Sequence, residues 1–395
     1  MADIYMIKTG KTSMIRDYNQ TLILENIIKE KVISRASLSK KLGLTKATIS
    51  AIVEVLINNN LVIETGNEDT SKGRKPINLM LNREAGYVIA INLDVDNVTA
   101  AISDLTGENI QTDRFAMDIN PAYIIKNLIN VIEGMAGYVD GGLIRIKGIA
   151  IGIHGVVLDN EVKFTPYYDL GDVDIKKELE EYFNIPVYLE NEANLAAIAE
   201  LTFSKRFDNM ALLSIHTGVG IGLIANGELY SGYSGHAGEF GHTTIEVDGR
   251  ECPCGNRGCL EQYISERSIL REYRKASKIS DASFSDYIEA YKKGDSIAIV
   301  IMDEFIKYMT VAIRNIINMF NPEIILVNSI ITNECPEITT KITDRLNSNL
   351  KSICNLAPSS ISKDNILKGG IAKAVCSFLN INNLDLQCYC FIECL

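Results

Sequence analysis

Glu239-Phe240-Gly241-His242 is followed, after a short spacer, by Cys252-Pro253-Cys254-Gly255-Asn256-Arg257-Gly258-Cys259-Leu260-Glu261. Three thiolates and one imidazole in this spacing are the ligand set of a closed structural zinc site. Gly255 and Gly258 let the short loop fold back, so that Cys252, Cys254 and Cys259 can point with His242 at one ion. Three buried free thiols are the alternative reading. A catalytic zinc fits less well, because four protein ligands leave no open position for water. Nine cysteines in 395 residues do not make a disulfide framework, and in a reducing compartment clustered cysteines more often hold metal.

On both sides of this motif, apolar and β-branched runs alternate with helical patterns. Tyr87 to Asp94 and Val98 to Ile102 read as a hairpin of strands with a turn at Thr106-Gly107-Glu108. Further strands are expected at Ile146 to Ile153, Val187 to Leu189, Met210 to Ile215, Gly222 to Ala225 and Ile324 to Val327, with helices at Tyr123 to Glu133, Glu192 to Leu201 and Ile297 to Met319. Strands alternating with helices argue an α/β body with largely buried sheets. Two polar groups stand out in it. Leu189-Glu190-Asn191-Glu192-Ala193-Asn194 sits where a strand passes into a helix, the place where α/β proteins hold ligands, although helix capping by Asn191 explains half of it. His216-Thr217-Gly218-Val219-Gly220-Ile221-Gly222 is a glycine-rich turn that either cradles phosphate or closes a hairpin.

Upstream, residues 1–83 read as a separate basic head. They hold 13 Lys+Arg against 8 Asp+Glu, whereas the remaining residues carry 26 against 42, so the net charge of −11 hides a head of +5 on a body of −16. Such asymmetry suits a nucleic-acid-binding head on a body with another task. A first helix is expected from Asp17 to Lys31, and a short second one from Ser37 to the helix stop Gly43. In a third, Ile49, Ile52, Val53 and Leu56 recur at i, i+3, i+4 and i+7 behind a Thr45 N-cap. Together these make a helix-turn-helix whose last helix enters the major groove. Leu61-Val62-Ile63 and the alternating Ile77, Leu79 and Leu81 read as a two-stranded wing with Lys72, Arg74 and Lys75 at its tip. Thr45, Lys46, Thr48 and Ser50 are the expected base-reading residues, and Lys41, Arg74 and Lys75 the expected phosphate contacts. A helical hairpin with a solvated basic face is the plainer reading.

The first twenty residues lack a secretory signal, and no run approaches the roughly 18 apolar residues of a membrane span. A cytoplasmic protein without membrane attachment is expected. The tail cysteines Cys388, Cys390 and Cys394 form either a minor metal site or a frayed end with free thiols, and Cys394 is misplaced for prenylation.

The combination of E-x-G-H, C-x-C-G-x-x-G-C-x-E, the Asn191-Glu192-Ala193-Asn194 group and the glycine turn resembles the ROK family of repressors, open reading frames and sugar kinases. The head followed by Gly73-Arg74-Lys75-Pro76 resembles its repressor branch. The resemblance implies an actin-like, ribonuclease-H-like body of two lobes, taken here as residues 84–205 and 206–395, with a sugar between them. It places Asn191, Glu192, Glu239, His242 and Glu261 on sugar hydroxyls, with His242 also ligating a structural Zn2+. His154 stands where many members have proline; it either reaches the ligand or is a satisfied structural histidine. Family kinases carry D-x-G-G-T-K at the first phosphate loop, and here Asp94-Val95-Asp96-Asn97-Val98-Thr99 has lost both glycines, the threonine and the lysine. Asp96 would set a negative charge against phosphate, and Glu192 replaces the catalytic aspartate with a side chain one methylene longer.

The function implied is a non-enzymatic, sugar-responsive repressor. It binds a palindromic double-stranded operator as a homodimer, or a dimer of dimers, and is released by a monosaccharide. Xylose is first in line, with glucose and N-acetylglucosamine behind it. The alternatives are a sugar kinase that kept a DNA-binding head, and a regulator controlled by a sugar phosphate or a partner protein.

Overall fold

The computed structural model describes residues 12–66, 77–95, 97–108, 110–117, 119–361, 364–382 and 384–386. Lys72, Arg74, Lys75, Asp96, Cys388, Cys390 and Cys394 lie outside them.

The head consists of α1 (Thr12–Glu30), β1 (Ile33–Ser34), α2 (Arg35–Leu42), α3 (Lys46–Asn58), β2 (Val62–Thr65) and β3 (Asn78–Leu81). Helix α2 begins two residues before the expected Ser37, because the Ser34 hydroxyl accepts the Ser37 N–H at 3.1 Å and caps the turn. Gly43, at φ +66°, ends it in the left-handed region. Thr45 caps α3 by accepting the Thr48 N–H at 3.1 Å, and Ile49, Ile52, Val53 and Leu56 are its buried face. Strands β2 and β3 pair antiparallel with Val62 opposite Leu81, and β1 adds a two-residue third strand on β3. So short a pairing leaves no period in the sequence.

The body begins with β4 (Tyr87–Leu93), β5 (Val98–Asp104), β6 (Gln111–Phe115), α4 (Ile124–Ala136), β7 (Ile146–Ile153), β8 (Val156–Leu158), β9 (Glu161–Phe164), α5 (Ile175–Phe183), β10 (Val187–Asn191) and α6 (Glu192–Phe203). A second lobe follows with β11 (Met210–Ile215), β12 (Val219–Ala225), β13 (Glu228–Leu229), α7 (Glu261–Ile264), α8 (Glu266–Ser277), α9 (Phe284–Lys292), α10 (Ser296–Phe320) and β14 (Ile324–Asn328). The chain ends through α11 (Ile330–Glu334), α12 (Glu337–Asp344), α13 (Ser348–Ile353), β15 (Leu356–Pro358) and α14 (Asn365–Leu379).

The sheets run β10-β7-β4-β5-β6 and β13-β12-β11-β14-β15. In each, an antiparallel hairpin (β4–β5 or β11–β12) is extended from its first strand by a parallel neighbour (β7 or β14), and then by a second (β10 or β15). One topology is used twice, so the two lobes have the same build. The outer face of the first sheet buries Ile89, Ile91, Ile149 and Ile151 under α4 and α5. The second sheet buries Leu213, Ile221 and Val327 against α10.

Helices α6 and α14 lie between the sheets, α6 packed on β11 and β12 and α14 on β4 and β7. Their crossing is close: a Cβ on Gly369 would fall 1.8 Å from the Leu195 carbonyl oxygen, so only glycine fits. Helix α14 therefore follows the second lobe in sequence but packs on the first. Beyond it, Leu379, Ile381, Leu384 and Leu386 share one buried cluster with Ile23, Leu24, Ile27 and Ile28 of α1. The junction is pinned by the Thr21 hydroxyl donating to the Asn380 carbonyl at 3.2 Å, the Asn382 N–H donating to Glu25 at 3.2 Å, and a Lys29–Asp385 ion pair at 3.5 Å. Among the described residues no helix is long and apolar enough to cross a membrane.

Candidate functional site

The carboxyl end of β10 turns directly into α6, which places Asn191 and Glu192 at the first turn of a helix packed between the two sheets. Asn191 is a full N-cap: its carbonyl oxygen accepts the Ala193 and Asn194 N–H groups at 2.8 and 3.2 Å, and its amide donates to the Gly155 carbonyl at 2.8 Å. The second hydrogen of that amide takes no part in the cap. Glu192, buried, stands 2.8 Å from His154, whose Nε2 is also 3.7 Å from Asp94 Oδ1. At this distance His154 Nε2 and Glu192 Oε2 form a buried ion pair. Burial by itself would lower the His154 pKa, but attraction to Glu192 and then Asp94 raises it above its ordinary value. Burial would raise that of Glu192, and His154 holds it below the usual carboxylate range.

The opposite wall comes from the second lobe. The glycine-rich segment is a hairpin turn, closed by the His216 N–H on the Gly218 carbonyl at 2.9 Å. Gly218 is where three groups converge: a Cβ there would lie 3.0 Å from Glu261 Oε2, 3.4 Å from Tyr167 Cε2 and 3.8 Å from His154 Nδ1. Glu261, at the start of α7, accepts the Val219 N–H at 3.0 Å and also the Tyr167 hydroxyl. His216 lies 3.6 Å from Glu266 through Nδ1 and 2.9 Å from the Asn328 amide through Nε2. Burial would depress its pKa, but the hydrogen bond and charge of Glu266 outweigh this and push it up to about 9. Glu239 is raised by burial, against the pull of His242, whose Nε2 lies 3.7 Å from Glu239 Oε2.

His242 has two working sides. Its Nδ1 faces Cys252 Sγ at 3.6 Å, away from the Glu239 side, and Cys254 and Cys259 sulfurs are 3.7 Å apart. The four ligand atoms of His242, Cys252, Cys254 and Cys259 lie within 4.8 Å of one another. Tetrahedral coordination with bonds of about 2.3 Å places ligand atoms roughly 3.8 Å apart, so these residues fit a single metal ion. The side-chain amide of Gln262 ties the cluster to the wall, donating to Cys252 Sγ at 3.6 Å and to Glu261 Oε1 at 3.5 Å.

Of the sequence-derived set, His154, Glu192, Glu239, His242 and Glu261 come together where the two lobes meet, and Asn191 caps α6 beside Glu192. Tyr167, Asp94, His216 and Gln262 join them. His216 had a signal in its glycine turn; Tyr167 had none. The first loop is closed on itself: the Asp94 carboxylate accepts the Val95 N–H at 2.8 Å and the Asn97 amide at 3.4 Å, and the Asp94 N–H donates to the Asn97 carbonyl at 3.0 Å. In the head, Lys46 and Ser50 are exposed on α3, the Thr45 and Thr48 hydroxyls bond each other at 2.9 Å, and Lys41 is held by Glu30 at 2.5 Å.

Two equivalent α/β lobes, crossed by two helices and gripping a polar cleft, define a sugar-kinase-like class of fold. The ROK family description matches residues 88–374. The chain belongs to the ROK family. It is 37% identical over 377 residues to the xylose repressor of Bacillus spizizenii, covering 93% of this chain and 98% of that protein. A ROK family transcriptional regulator, homologous to the E. coli MLC protein, superposes with a TM-score of 0.78 at 27% identity over 93% of this chain and 97% of its own. A ROK family glucokinase from Streptomyces griseus, solved with glucose and AMPPNP, has the same body fold at a TM-score of 0.65 and 24% identity, covering 72% of this chain and 98% of its own.

Proposed function

We propose that this chain is a sugar-responsive transcriptional repressor and not a kinase. The observation that carries this reading is the junction itself: a trihelical head with an exposed α3 face is packed onto a sugar-kinase-like body whose first loop has closed on its own carboxylate. Likeness to repressors over nearly the whole chain supports it. Helix α3 would lie in the major groove with Lys46 and Ser50 toward base edges and the Thr45–Thr48 pair at its start, while strands β2 and β3 would serve as the wing. Lys41, Arg74 and Lys75 would neutralise phosphates. A homodimer would match a palindromic operator.

In the cleft, Glu192, Glu239 and Glu261 are acceptors for several hydroxyls at once, His154 and His242 add donors or acceptors, and Asn191 offers its remaining amide hydrogen. A monosaccharide fits this chemistry, with xylose favoured by the relatives' name, because a buried acceptor left unpaired by the wrong sugar is costly. A zinc ion held by His242, Cys252, Cys254 and Cys259 would fix the imidazole's orientation. Occupancy of the cleft changes operator affinity only as far as the sugar prefers one arrangement of lobes and head over the other.

The test uses the full-length chain and duplexes selected from random sequence. Salt-sensitive binding of a selected palindrome, released by xylose, glucose or N-acetylglucosamine at millimolar concentration, is expected. Sustained ADP release from ATP with any of these sugars, together with indifference of DNA binding to them, would sink the reading.

A further inference from the structure

The loop after β9 carries two adjacent tyrosines with different surroundings. Tyr168 is buried in the first lobe, where its hydroxyl accepts the His154 N–H at 3.0 Å and lies 3.4 Å from the Leu93 carbonyl. Tyr167 instead reaches across the cleft. Its hydroxyl donates to Glu261 Oε1, its ring lies 5.7 Å from the Arg267 guanidinium, and it packs against Gly218. All three of these partners belong to the second lobe, while the same ring stands edge-on to His154 of the first at 6.4 Å.

Glu261 consequently has both oxygens engaged, Oε2 by the Val219 N–H and Oε1 by the Tyr167 hydroxyl. The Gln262 amide also lies 3.5 Å from Oε1, so both acceptor positions of that oxygen are taken and a ligand hydroxyl reaching for it must displace a donor. Phenol and sugar hydroxyls are equivalent donors to a carboxylate, and a hydrogen bond to a charged group is among the stronger ones a protein makes. Burial and the Glu261 charge push the Tyr167 phenol far up, so it stays a donor at any physiological pH.

Resting on the sugar reading of the cleft, we infer that Tyr167 is an internal stand-in for the ligand. With no sugar present, its hydroxyl occupies the Glu261 position that a sugar hydroxyl takes over, and the same bond latches the lobes. Only a sugar whose hydroxyl reaches Glu261 releases the latch, so Tyr167 sets both the affinity and the threshold of response.

Tyr167→Phe keeps the ring and its packing and removes only the competing donor. In calorimetry on the full chain with xylose, glucose and N-acetylglucosamine, the variant binds the recognised sugar about tenfold to a hundredfold more tightly than wild type, the range expected for one hydrogen bond to a charged group. Without sugar, its backbone amides at Val219 and around His154 exchange hydrogen faster. Equal or weaker sugar binding by the variant overturns the proposal, because a direct sugar contact or a structural hydroxyl would behave so. If wild type binds none of the three sugars, the effector reading fails separately, and the exchange comparison still decides the latch: unchanged exchange overturns it.

Discussion

On the first-lobe side of the cleft, Glu192 and His154 hold each other at 2.8 Å with Asp94 behind them. On the second-lobe side, Glu261 and Glu239 are placed by neighbours that converge on His242 and three cysteines. Both walls rise from the same sheet topology, so the difference was added by side chains and loops, not by the fold. A wall held by a charge pair responds to protons, whereas a wall built on a cluster of one histidine and three cysteines would respond to the metal ion that the cluster fits. The first would be tunable by pH, the second rigid until stripped of that ion.

The largest expected effect comes from stripping it. Cys259→Ser removes one of four donors to the ion; the variant should lose bound zinc by elemental analysis and lose measurable sugar binding. Its Tm should fall by several degrees, at roughly 2–4 °C per kcal/mol for a unit of this size. Retained metal and affinity would erase the distinction between the walls.

A smaller effect is expected from Glu192→Gln, about 2 kcal/mol of stability with metal content unchanged, because a buried ion pair loses one member. Its pH dependence has a defined sign. His154 is raised, so its contribution is complete below the ordinary imidazole value and fades as pH rises through the raised one. Glu192 is lowered, so its contribution is complete above the ordinary carboxylate value and fades as pH falls through the lowered one. The Tm gap between wild type and Glu192→Gln should therefore be widest at about pH 6 and shrink toward alkaline pH. A gap that does not vary with pH would mean that the charge pair does not hold this wall.

The smallest effect tests a region outside both walls. Thr45→Ala removes the cap of α3 and should cost about 1 kcal/mol in the head, weakening operator binding in an anisotropy titration while calorimetry finds sugar affinity unchanged. A changed sugar affinity in the absence of DNA would show that loss of this cap reaches the walls without an operator to carry it.

Much of this was legible in the chain because it is local. Thr45, Gly43 and the Ile49-to-Leu56 period announce α3 by capping and burial, and Ile146 to Ile153 and Met210 to Ile215 were bounded at the observed strand ends because continuous β-branched runs have few other uses. The cluster of His242, Cys252, Cys254 and Cys259 was legible from its spacing, and the structure brings the four together. The capping role of Asn191 was legible, and the structure shows its side-chain oxygen spent on that cap. Tyr167 was silent, since its partner Glu261 is far away in sequence and no period links them. The position of α14 was silent for the same reason: Gly369 and Gly370 read as ordinary helix interior until Leu195 is seen against them.

The seating of α1 on residues Asn380 to Leu386 has a consequence for biosynthesis. Thr21 and its partner Asn380 are 359 positions apart in the chain, so the contacts among the three helices are local while the surface that seats them is made much later. The exposed face of α3 therefore acquires its fixed pose only after residue 380 has joined the chain, and a product cut short before it would keep the three helices without their seat.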